Sequence, residues 1–204
     1  MVLNHIKTTF NGVKKPDIRF LNDMKNVLYD KKWAETAPNF ELYYMYRGIK
    51  KKNGLRYDIT VIPPRMLGRE FAKTKGHEHS KKYGELYVVL KGEAIYLMQR
   101  RQNNQIKIKD VYAVKAKKGD VAIIPPHYGH MTINPSRKET LKTANWSDER
   151  SEHIYDVVAK KKGLCYYYTE KGWIKNKNYG KVPKLRFKRP LKKIPKNLNF
   201  LHGR

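Results

Sequence analysis

Gly76-His77-Glu78-His79 is the centre of the stretch Thr60–Asn134, followed by Glu85-Leu86-Tyr87-Val88-Val89-Leu90, then Gly119-Asp120-Val121-Ala122-Ile123-Ile124-Pro125-Pro126, and then His130. Side chains alternate between the faces of a β-strand, so His77 and His79 share one face. Neutral imidazoles suit zinc, iron, nickel or copper, and a carboxylate can fill a further position and leave room for water or substrate. Glu85 opens an apolar run that closes at Lys91-Gly92, which reads as a strand between two turns. The run from Gly119 to Pro126 reads as a second strand that delivers His130 just past its end. The candidate metal ligands are therefore His77, His79, Glu85 and His130. They meet if neighbouring strands of a small barrel point into a common mouth.

Two motifs in order carry a resemblance to the cupin superfamily. The first, G-x5-H-x-H-x3-4-E-x6-G, is matched by His77, His79, Glu85 and Gly92, with a longer gap between His79 and Glu85 than the commonest form. The second, G-x5-P-x-G-x2-H-x3-N, is matched by Gly119, Pro125, His130 and Asn134, with His127 in the place of its second glycine. Thr74-Lys75-Gly76-His77, the segment Tyr57-Asp58-Ile59-Thr60-Val61-Ile62-Pro63-Pro64 and the segment Phe40-Glu41-Leu42-Tyr43-Tyr44-Met45-Tyr46-Arg47-Gly48 narrow it. Together with Leu21-Asn22-Asp23-Met24-Lys25 and Tyr29-Asp30, they are similar to the cupin-type glucose-6-phosphate isomerases found mainly in archaea.

The resemblance implies an all-β fold: a cupin double-stranded β-helix (jelly-roll barrel) with short N-terminal and C-terminal helical segments. It implies a metal-dependent isomerase interconverting glucose 6-phosphate and fructose 6-phosphate. One divalent metal ion goes with it, Fe(II) first, with Zn, Ni or Mn as substitutes, and so does a homodimer with N-terminal strands packed across the interface. It places Thr60, Thr74 and Gly76 at the phosphate, where short donors beside a glycine let the backbone approach closely. Tyr87 falls near the substrate, on the face it shares with Glu85.

Past Asn134 the match loosens. A family pattern of tyrosine, histidine and tyrosine here reads Trp146, His153 and Tyr155, after a one-residue insertion. Trp146 offers an N–H and no hydroxyl, so a contact to phosphate would be changed. His153 is a candidate proton carrier for ring opening, because imidazole titrates near neutrality. Glu85 is the base of an enediol route, or mainly a ligand if hydrogen shifts directly as hydride. A carboxylate on a metal is the weaker base. Two other functions compete: a related sugar-phosphate isomerase or epimerase, for instance on mannose 6-phosphate, and a non-catalytic cupin that binds a polyanion.

At 204 residues the chain suffices for one domain with a proper core. The expected division is a single cupin domain with an N-terminal arm over residues 1–170, and a basic extension over 171–204. No apolar run approaches the ~20 residues that span a bilayer. With no secretion signal and one cysteine, Cys165, no internal disulfide can form, and a reducing, cytoplasmic setting is expected. Cys165 itself reads as a buried small hydrophobe. The net charge of +27 has three readings: a nucleic-acid or membrane-surface face, a lysine-biased composition, or steering of an anionic substrate. Lysines spread along the whole chain favour composition over a dedicated patch.

Local patterns place the elements. Leu21, Met24, Val27 and Leu28 have helical spacing over residues 20–33. Phe40 to Tyr46 alternates as a strand, and Asn53-Gly54 turns it into a partner, Tyr57 to Ile62. Further strands are expected at Phe71–Thr74, Glu85–Leu90, Gly92–Arg100, Ile106–Val114, Val121–Ile124 and 138–146, with a turn at Gln102-Asn103-Asn104. A short helix is expected over 151–162. After Glu170 there is no acidic residue, so 171–204 reads as a partly ordered strap or tail, or as a polyanion-binding arm.

Overall fold

The structure, a computed structural model, describes residues 15–79, 82–102 and 107–203. Strand β1 (Asp17–Phe20) leads into two short 3-10 turns, Leu21–Asp23 and Lys25–Val27, and helix α1 (Lys31–Thr36). The helical spacing at 20–33 thus resolves into two turns and a helix, and Leu21, Met24, Val27 and Leu28 are all fully buried. Burying each such side chain contributes roughly 1.5–3 kcal/mol, enough to hold the segment on the barrel without long helices. Asp30 caps α1 by accepting from the Trp33 N–H.

Strands β2 (Glu41–Lys52) and β3 (Leu55–Ile62) form the expected hairpin. Asn53 and Gly54 both lie at positive φ, 52° and 72°, the geometry that matches the twist of a two-residue hairpin. Two short strands follow, β4 (Met66–Leu67) and β5 (Glu70–Phe71), and then β6 (Glu78–His79). The barrel proper continues with β7 (Glu85–Lys91), β8 (Glu93–Arg101), β9 (Ile108–Lys117), β10 (Val121–Ile124), β11 (Tyr128–Ile133) and β12 (Leu141–Asp148). Strand β13 (His153–Ile154) and helix α2 (Asp156–Lys160) occupy the expected helical stretch, the helix starting later than its apolar pattern suggested. The expected turn at Gln102-Asn103-Asn104 and the start at Ile106 lie largely outside the described residues.

One sheet runs β1-β2-β3-β12-β7-β10 and the facing one begins β11-β8-β9. The chain crosses from the first sheet at β7 to the second at β8 and β9, and returns at β10. It crosses again from β11 to β12. This double winding is the jelly-roll of the cupin fold. Its interior is closed by Tyr96, whose hydroxyl meets Thr143 Oγ1 at 2.6 Å across the barrel.

Five further elements lie after α2 among the described residues, one of them a 3-10 turn at Lys177–Tyr179. Strands β14 (Tyr166–Thr169) and β15 (Gly172–Lys175) pair as a hairpin and extend β5 and β4 into a small sheet. Strand β16 (Arg186–Lys188) adds parallel to β9. A last 3-10 turn, Asn199–His202, seats Leu201 in full burial. The basic extension is thus laid on the barrel as a strap. Among the described residues no helix is long and apolar enough to cross a membrane.

Candidate metal centre

β7 enters the barrel at Glu85. Its inward face carries Glu85, Tyr87 and Val89, while Leu86 and Val88 pack outward against Leu55, Trp146 and Leu201. β11 faces it from the other sheet and holds His130 within the strand, paired with Met98 of β8. The sequence pattern put His130 past a strand end, but a tight turn at Pro125–Tyr128 restarts the strand before it. β6 then lies along β11. His77 and His130 exchange backbone hydrogen bonds at 3.1 and 2.9 Å, and β13 pairs His153 with His79.

These placements bring His77, His79, Glu85 and His130 together, with one ligand atom from each within 4.8 Å of the others. His77 Nε2 lies 3.2 Å from His79 Nε2, and His79 Nε2 lies 3.1 Å from Glu85 Oε1. His130 Nε2 stands 3.4 Å from Glu85 Oε2, a buried oxygen with no hydrogen bond. Two ring nitrogens pointed at each other beside a carboxylate repel as lone pairs unless a proton or a cation sits between them. Three imidazoles and one carboxylate fit a divalent cation of the borderline class.

The electrostatics agree. Burial pushes the His77 imidazole well below its ordinary value, and His153 and His130 add to the shift. Burial alone would raise the Glu85 carboxyl, but the His130, His77 and His79 imidazoles crowded around it hold it well below the usual carboxylate range. Burial also lowers His153, to about 4. His79 goes the other way: burial lowers it, but the Glu85 carboxylate and the Tyr83 carbonyl beside it raise it overall. An ionised carboxylate beside a neutral His77 is the protonation state a ligand set needs.

The cavity in front of this cluster is lined by Thr60, Thr74, Gly76, Tyr87, His153 and Tyr155. Thr74 Oγ1 accepts from the Thr132 N–H at 3.0 Å, which leaves its own proton for a donor bond into the cavity. Gly76 stands at φ 79°, a conformation that favours glycine, and a Cβ there would crowd Leu164 Cδ1 at 2.5 Å and the His130 carbonyl oxygen at 3.3 Å. Tyr87 Oη meets His130 Nε2 at 3.1 Å. The His153 ring stacks on His77, centroids 3.8 Å apart, with its Nδ1 3.3 Å from Tyr155 Oη.

Trp146 is a correction. It lies on the outer face of β12, its ring 4.9 Å from that of Tyr57, and it does not line the cavity. Its neighbour Asn145 does, because Asn145 pairs with Tyr87 of β7 and shares its inward face. Exposed His127 sits at φ 69°, a turn conformation that explains why the motif has glycine there.

The cavity wall also holds residues not singled out in the sequence: Tyr43, Arg47, Asp58, Lys75 and Asn145. Asp58 is two residues from Thr60 on one strand, so alternation alone could have found it. Arg47 could not be found that way. A bulge sets Arg47, Gly48 and Ile49 against Asp58, and Asp58 accepts from the Gly48 N–H at 2.7 Å.

Residues 19–184 match the model of a family described as glucose-6-phosphate isomerase. The glucose-6-phosphate isomerase of Pyrococcus abyssi is 30% identical over 83% of this chain and 92% of its own length. That of Thermococcus litoralis is 29% identical over 72% of this chain and 77% of its own. Among solved structures, an oxalate oxidase overlaps 55% of this chain and 54% of its own, with a TM-score of 0.44 and 13% identity.

Proposed function

The chain belongs to the glucose-6-phosphate isomerase family, and from that membership we propose that it interconverts glucose 6-phosphate and fructose 6-phosphate with one divalent metal ion held by His77, His79, Glu85 and His130. The observation that carries the reading is the convergence of those four ligand atoms at one end of a cavity that also holds two threonines and a tight glycine. Fe(II) is the first choice, with Zn, Ni or Mn as substitutes. When bound, such a cation supplies Lewis-acid stabilisation for negative charge developing on the sugar oxygens.

The protein's own groups do the rest. The Thr60 and Thr74 hydroxyls and the backbone at Gly76 receive the phosphate. His153, neutral because it is buried, takes the proton of the C1 hydroxyl and returns it to the ring oxygen as the C1–O5 bond opens. Tyr87 and Tyr155 position the open chain. In an enediol route Glu85 removes the C2 proton and redelivers it to C1. Its depressed basicity weighs against that role, and in the other route hydrogen passes between C2 and C1 as hydride with no base acting on carbon. In both routes the proton of the C2 hydroxyl moves to O1. We assign the protein to the cytoplasm as a homodimer, and sedimentation velocity tests the pairing.

The deciding experiment gives fructose 6-phosphate to chelated protein, and then to the same protein after metal addition. Glucose 6-phosphate should form only with metal. Turnover in deuterium oxide separates the routes: label in the product supports the enediol, and fast turnover without label supports the direct shift. Full activity after exhaustive chelation would reject the metal reading.

A further inference from the structure

β6 is two residues long, yet His79 lies in it and His77 directly precedes it. Glu78 stands between the two histidines, so strand alternation sends its side chain to the opposite side. That side chain passes over Gly129 of β11 and reaches Arg101 at the end of β8. Arg101 Nε donates to both Glu78 oxygens at 2.9 Å, and Nη2 donates to Oε2 at 2.7 Å. A Cβ on Gly129 would lie 2.8 Å from Glu78 Cγ and 3.3 Å from the His77 carbonyl oxygen. Gly129 has no positive φ, so the space is what its missing side chain provides. β11 also holds His130, and one stack of backbone therefore locates three of the four proposed ligands.

We propose that the Glu78–Arg101 ion pair, seated over Gly129, is the positioning device that sets His77 and His79 against Glu85 and His130. The ion pair strings β6 across β11 to β8, a side-chain anchor added to its short backbone pairings with β11 and β13. A small displacement of two ring nitrogens spoils a coordination sphere. Partners that orient ligands typically carry 10–100-fold in metal affinity. The inference rests on the metal reading above.

Co(II) titration of the chelated protein tests it, because the visible band reports coordination geometry as well as affinity. Glu78→Gln and Arg101→Gln should keep the apo melting temperature, bind Co(II) on the order of tenfold more weakly, and shift the band. Gly129→Ala, which retains both charges, should do the same. Unchanged affinity and spectrum in folded Glu78→Gln and Arg101→Gln proteins would overturn the positioning role and leave the metal reading standing. Absence of Co(II) binding by the wild type, or equal binding by His77→Ala, would instead overturn the metal reading, and this inference with it. Should the Gln variants melt early, Arg101→Lys, which can keep the ion pair, decides: Co(II) binding restored above that of Arg101→Gln supports the role, and binding as weak as in Arg101→Gln at a wild-type melting temperature overturns it.

Discussion

At His127 a side chain occupies a backbone conformation that glycine adopts freely. A left-handed L-residue costs roughly 1–2 kcal/mol, offset in part by the roughly 0.5–1 kcal/mol of extra entropy that glycine loses on folding. His127→Gly is therefore expected to stabilise the protein by up to about 1 kcal/mol in urea unfolding, with metal affinity unchanged. A loss of stability would mean that the ring does more than turn the chain. The neighbours Asn145 and Trp146 make the sharper contrast. Asn145 is 7% exposed and faces the cavity, whereas Trp146 faces away. In steady-state kinetics Asn145→Leu should raise KM by about tenfold, the value of one hydrogen bond to substrate. Trp146→Phe should leave both kcat and KM near wild type. The reverse result would return Trp146 to the site. The motif histidines and Glu85 were legible in the sequence because their chemistry and spacing are local. Which of two adjacent residues meets the cavity was not, because that depends on strand register.

The C-terminal strap shows how an element is held by charges far away in sequence. Asp148 ends β12 and is buried. It accepts from Arg150 Nε and Nη2, both at 2.8 Å, and from His202 Nδ1 at 3.1 Å. Beside it the Phe200 carbonyl accepts from the Gly84 N–H at 2.8 Å. The Arg150 guanidinium, helped by His202, holds the Asp148 carboxyl far below its ordinary value. A depressed carboxylate contributes stability in full above its unfolded pKa, near pH 4, and loses it as pH falls through the folded value. Asp148→Asn should cost about 1–3 kcal/mol at neutral pH and show a shallower fall below pH 4, read by urea unfolding across that range. An equal deficit at pH 7 and pH 2 would refute the linkage. The sequence showed a tail without acids after Glu170. It could not show that the acids it leans on are Asp110, Asp120 and Asp148 of the barrel strands and their turns. Strand β14 was likewise missed: Tyr166-Tyr167-Tyr168-Thr169 has strand-forming residues, but its partner arrives only through the turn before Gly172.

Over the whole molecule, 45 basic against 18 acidic side chains leave a charge of +27. Self-repulsion of that size opposes the compact state, and salt screens it over ~10 Å at 0.1 M. The melting temperature should therefore rise between low and moderate ionic strength, measured by calorimetry in sodium chloride. A falling melting temperature would mean that the surface ion pairs outweigh the repulsion. The strap explains part of how the excess is tolerated, since Arg186 and Lys192 are spent on Asp110 and Asp120. What the sequence determined by itself is the barrel and its candidate ligand set, because two-residue alternation, turn chemistry and the order of the motifs are local properties. What only the tertiary structure decided is which strands become neighbours. That choice puts Asn145 inward and Trp146 outward, carries Glu78 across Gly129 to Arg101, and folds the basic tail onto barrel carboxylates. Strand pairing joins residues far apart in the chain, and a shift of one residue would turn every side chain to the other face.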